Sequence, residues 1–99
     1  MTSGAQYVWT DFPYDTLIDP TCGWLLDPQG SLLILFDRCK KSARNNIQIY
    51  THLFYANYLR EPERLKNTRL LNLYCAFETW NELQAGGWTL VTKQFQQSE

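Results

Sequence analysis

Few of the 99 residues carry side chains suited to covalent chemistry, and those few are widely spaced. His52 is the single histidine, and the cysteines are Cys22, Cys39 and Cys75. By count these four make a zinc ligand set. Structural zinc sites usually draw two ligands from one short turn, and the chain has no Cys-x-x-Cys and no nearby Cys–His pair. No metal or other cofactor is therefore expected.

A Cys75–His52 nucleophile pair can be tested by helix arithmetic. If both residues lie on antiparallel helices joined near Glu61, their offset is about five residues, or roughly 7.5 Å along the axis. A nucleophile and its base need to approach to about 3 Å, so the pair is disfavoured. His52 then reads as a partly buried helix residue bonded to a carbonyl or water. The aspartates sit near turns and prolines, where the side chain serves the backbone. Gly4, Gly23, Gly30, Gly86 and Gly87 are separated turn punctuation, not a phosphate-cradling loop. The chain is expected not to be an enzyme.

Charge is more informative. The net charge of −1 conceals three blocks. Residues 1–37 hold five Asp and no Lys or Arg, a balance of −5. Residues 38–69 hold eight of the nine basic residues against Glu61 and Glu63, a balance of +6. Residues 70–99 carry −2. Such segregation points to an acidic partner. The candidate contact residues are Arg38, Lys40, Lys41, Arg44, Arg64, Lys66 and Arg69.

Four Trp and six Tyr are more aromatic material than one small core readily hides. Aromatic and Arg side chains are common interface anchors, and Trp9 and Phe12 are the apolar candidates. The expected function is a small adaptor, regulator or inhibitor that docks on a partner protein with an acidic surface; a homodimer is a sub-case. The alternative is a nucleic-acid or phosphate-binding module using 38–69, with Tyr50, Tyr55 and Tyr58 between its basic clusters. A pI near 5.8 weighs against it. The acidic N-terminal segment is further expected to lie on the basic one and compete with the outside partner.

Positioning these residues requires an architecture. Asp27-Pro28-Gln29-Gly30 suits a type I turn, which predicts a β-hairpin over about 24–37. A helix capped by Asp27 is its rival. Asn45-Asn46 can cap a helix over about 44–60 that is apolar on most faces, although period-two alternation also fits part of it. Glu61-Pro62 breaks the chain, and a second helix is expected over about 62–85. That helix would carry Arg64, Lys66 and Arg69 in its N-terminal half and Glu78 and Glu82 in its C-terminal half, opposite to the preference of the macrodipole. Gly86-Gly87 ends it, and Trp88 opens a C-terminal strand of about 88–95.

The predicted fold class is α+β: a hairpin, an antiparallel helical hairpin and a closing strand, with an all-α arrangement as alternative. Residues 1–20 form an extended aromatic and acidic segment, 21–95 a single domain and 96–99 a frayed tail. An apolar run of 18 residues and a secretory signal are both missing, and three widely spaced cysteines suit reduced thiols. The expected compartment is the cytoplasm, without membrane contact.

Overall fold

The computed structural model describes residues 22–39, 41 and 45–92. Its elements are β1 (Cys22–Leu26), β2 (Leu32–Arg38), β3 (Gln48–Ala56), β4 (Pro62–Asn72), α1 (Leu73–Ala85) and β5 (Thr89–Val91). The strands form one antiparallel sheet in the order β4-β3-β2-β1-β5. Strands β1 to β4 are a meander, and α1 returns the chain so that β5 pairs with β1.

This corrects the predicted fold class: there is no helical hairpin among the described residues, and an all-α arrangement is excluded. The expected helix over 44–60 is strand β3. Its run Ile-Tyr-Thr-His-Leu-Phe-Tyr is rich in β-branched and aromatic residues. Both of its faces are at least partly covered, so apolar residues occur on each side and the alternation is blurred. The expected helix over 62–85 is divided. Pro62–Asn72 is strand β4, and only Leu73–Ala85 is helical. An edge strand with exposed residues on both faces needs no period-two pattern, and cross-strand pairing with β3 overrides the helix propensity of its Arg, Leu and Lys. The expected strand over 88–95 is Thr89–Val91 within the described residues. The segment 1–20 and the tail 96–99 lie outside them.

Two loops of like construction make the meander turn. Between β1 and β2, Gly30 N–H donates to the Asp27 carbonyl at 3.0 Å. Asp27 Oδ1 accepts from Ser31 N–H at 2.7 Å and from Leu32 N–H at 3.0 Å. Gly30 supplies the positive φ of 76° that the loop requires. Between β3 and β4, Asn57 takes the role of Asp27: its Oδ1 accepts from Leu59 and Glu61 N–H, and Arg60 N–H donates to its carbonyl. Arg60 stands where the first loop has glycine, at φ 63°, a conformation that costs a side-chain-bearing residue about 1–2 kcal/mol.

Asp27 is buried, and its carboxylate satisfies two backbone donors through charge-assisted bonds. Asp27→Ala should cost about 2 kcal/mol, and Asp27→Asn, which retains the acceptor, clearly less. Urea denaturation of the three proteins checks the order.

Helix α1 starts on Asn72, whose side chain accepts from Cys75 N–H at 2.7 Å. It ends in a Schellman motif: Trp88 N–H donates to Leu83 O, Gly87 N–H to Gln84 O, and Gly87 has φ 103°. Ala76 and Trp80 are buried, with Leu73 and Leu83 beside them, as one stripe at helical spacing. The stripe packs on Leu25, Ile34, Phe36 and Ile49 of the sheet. Phe36 meets the Trp80 indole edge-on at 5.0 Å and 84°. Gly23 leaves the space that the indole occupies: a Cβ there would lie 2.9 Å from Trp80 Cη2. Trp80 Nε1 is buried with no hydrogen-bond partner.

Candidate functional site

Register assigns the faces. Gly23, Leu25, Ile34, Phe36, Arg38, Ile49, Thr51, Leu53 and Tyr55 share the side that α1 packs against. Trp24, Leu33, Leu35, Asp37, Tyr50, His52 and Phe54 share the other, which α1 does not touch. Two features result: a long charged edge at β4 and an aromatic depression on the face opposite α1.

β4 has 11 residues and pairs only with β3 among the described residues. At about 3.4 Å per residue it spans roughly 37 Å. Every residue from Glu63 to Leu70 is exposed. Arg64, Lys66 and Arg69, expected on a helix, stand on this strand, and Glu63 is the acidic residue among them. The opposition to a macrodipole expected from the sequence therefore does not arise for the basic residues, which precede the helix. The pairing with β3 is irregular at Leu53/Phe54 and at Tyr55/Ala56, and such bulges re-aim side chains. The Arg64 guanidinium lies 4.7 Å from the Tyr55 ring centroid and Lys66 Nζ lies 5.9 Å from it. Both cations are thereby gathered over one aromatic ring.

Among the described residues six large hydrophobics are exposed. Tyr58, Leu59, Leu65, Leu70 and Tyr74 lie on β4 or close to its ends, and only Leu90 lies elsewhere. Leu65 and Leu70 are 51% and 46% exposed. Sequence reasoning passed over Leu65, because charged neighbours on both sides hid it in a helical pattern.

The remaining sequence candidates lie off β4 or outside the described residues. Arg38 closes β2, exposed, at the end of the sheet away from Arg64 but on the face and near the register of Arg69, and Lys41 is exposed beyond it. Lys40, Arg44, Trp9 and Phe12 lie outside the described residues. Tyr50 and Tyr55 point to opposite faces, so with Tyr58 at the loop they make no single stacking platform. Of the acidic block, Asp27 is occupied by its own loop and Asp37 stands on the face opposite α1; neither lies on β4. The rest of that block lies outside the described residues.

On the face opposite α1 an open depression of about 540 Å³ is lined by Trp24, Leu35, Asp37, His52, Phe54 and Leu65. The Trp24 and Phe54 rings are 5.6 Å apart at 40°. His52 is a strand residue bonded to the hydroxyl opposite it, Nδ1 to Thr68 Oγ1 at 2.9 Å, and its ring stacks on Tyr50 at 5.6 Å and 20°. This corrects the reading of His52 as a helix residue, and the helix arithmetic that related it to Cys75 has no basis in the fold. A directly opposed pair on β3 and β4 explains the bond. The signal was available only through the register.

Among the described residues no helix is long and apolar enough to cross a membrane. No similarity to a curated protein or to a solved structure reaches significance. Residues 22–95, more than half of the chain, match the family described as DUF1651, protein of unknown function, and the chain belongs to that family.

Proposed function

We propose that this is a non-enzymatic protein-binding module that takes an extended acidic segment of a partner protein along the open edge of β4. The observation that supports it is the coincidence, on one strand, of a backbone edge that is unpaired among the described residues, half-exposed Leu65 and Leu70, and Arg64, Lys66 and Arg69. An extended peptide adds to such an edge through main-chain hydrogen bonds, and side chains at alternate positions give specificity. A long exposed edge is otherwise a liability. The cations keep a second copy away, because β4 against β4 brings two basic strands together. The same charge attracts an acidic strand.

Nucleic acid is the less well supported reading, since the tyrosines are divided between faces and the face opposite α1 carries no Lys or Arg among the described residues. The module is proposed to work in the cytoplasm.

The test uses a fluorescent peptide alternating aspartate and valine, its lysine counterpart, and anisotropy across a salt series. The aspartate peptide should bind, with affinity falling as salt rises. The triple variant Arg64→Glu, Lys66→Glu, Arg69→Glu should weaken it by about tenfold or more while far-UV circular dichroism is unchanged. Amides of residues 62–72 should gain protection from hydrogen exchange. Equal binding of both peptides, an unchanged affinity in the triple variant, or protection elsewhere would refute the proposal.

A further inference from the structure

We propose that β4 selects its partner strand by phase as well as by charge. It takes a segment in which acidic and apolar residues alternate, the acidic side chains lying on the α1 side of the sheet and the apolar ones on the opposite side. The inference rests on the reading of β4 as a peptide-binding edge and goes beyond it, since an acidic segment of any pattern would satisfy that reading.

An irregularity in the strand carries the argument. Strict alternation along β4 would put Arg64, Lys66 and Leu70 on one face and Leu65 and Arg69 on the other. Each face would then mix a leucine with basic residues. The register is not strict. Phe54 stands opposite Leu65 and Leu53 opposite Asn67, so the pairing skips Lys66. One extra residue reverses the phase of everything after it. Beyond the skip, Arg69 stands opposite Thr51 and Leu70 opposite Tyr50. Arg69 thereby joins Arg64, the partner of Tyr55, on the α1 side. Lys66 is on that side too, its ammonium 5.9 Å from the Tyr55 ring centroid. Leu65 and Leu70 are left together on the opposite side, with Thr68 between them. Three cations and two half-exposed leucines are thus sorted to opposite faces of one strand. Arg38, on β2, is on the cationic side as well. Glu63 falls at the second irregularity, outside the span from Arg64 to Leu70.

A strand added to this edge alternates in its turn, and each of its side chains lies beside those on the same face of β4. Carboxylates on the α1 side meet Arg64, Lys66 and Arg69. On the other side they would meet Leu65, Thr68 and Leu70 and gain nothing. Branched apolar side chains cover the two leucines there. Only a segment with alternating character meets both faces at once.

The experiment uses the full chain and two fluorescent peptides of one composition. In one, aspartate and valine alternate singly; in the other they run in Asp-Asp-Val-Val blocks. Both faces of the block peptide carry aspartate and valine in equal number, whatever its register or direction. Anisotropy should show the alternating peptide binding about tenfold tighter. The exchange variant Arg69→Leu, Leu70→Arg keeps the composition and charge of the protein but moves a cation among the leucines, at two exposed positions. It should cut the preference to about threefold or less, with far-UV circular dichroism unchanged. Equal affinity for the two peptides would overturn the phase selection and leave the acidic preference of β4 standing. A preference unchanged in the exchange variant would overturn the assignment of the faces. Failure of both peptides to bind would overturn this inference together with the reading it rests on.

Discussion

Trp80→Ala should cost about 3–5 kcal/mol, the usual range for emptying a buried aromatic site. Trp80 is the largest of the fully buried side chains and stands at the centre of the contact between α1 and the sheet. Its removal takes away the edge-on contact with Phe36 and leaves the hollow above Gly23 unfilled. A domain of this length commonly has only about 5–15 kcal/mol of stability in total, so the midpoint of thermal unfolding should fall on the order of 20 °C. Calorimetry measures this directly. A loss below about 1 kcal/mol would show that the helix is held by something other than this side chain.

The second large effect comes from the other side of the same contact. Gly23→Val adds branched carbon where a single Cβ would already stand 2.9 Å from the indole. Overpacking of this degree should cost about 3 kcal/mol. The cause can be isolated, because the clash is with the six-membered ring of the indole. In a Trp80→Phe background the added cost of Gly23→Val should shrink by at least about 1 kcal/mol, a coupling typical of touching residues. Strictly additive costs in chemical denaturation would place the strain elsewhere, in the backbone of β1.

The turns and the helix end were legible in the sequence because each is a local event. Asp27 to Gly30 and Gly86-Gly87 carry their instructions in adjacent residues, and the hairpin and the Schellman end stand where those residues are. The path between them was not legible. β3 lies between β2 and β4, and its two half-covered faces gave an apolar surface that also fits a helix. β4 is written in residues that favour helices in isolation, and only its pairing with β3 makes it a strand. The charge block survived this change of element. Arg64, Lys66 and Arg69 remain on one strand, and Arg38, across β3 on the same face as Arg69, stands toward the Arg69 end of it. The depression opposite α1 could not be read at all, since it joins residues from four strands whose register no local pattern reveals.

The pairing of β5 with β1 has a kinetic meaning. Every other strand pair joins segments adjacent along the chain, so each forms by closing a short loop. Trp24 pairs with Val91 across nearly the whole described length. That closure must wait for the meander and for α1 to dock, and it is held by only three residues of β5. β5 is thus the element whose release disturbs least, and its amides belong at the low end of protection. Its release would bare β1, Cys-Gly-Trp-Leu-Leu, as a second and more apolar edge. A three-residue strand is in this sense the clasp that decides whether the molecule offers one sticky side or two.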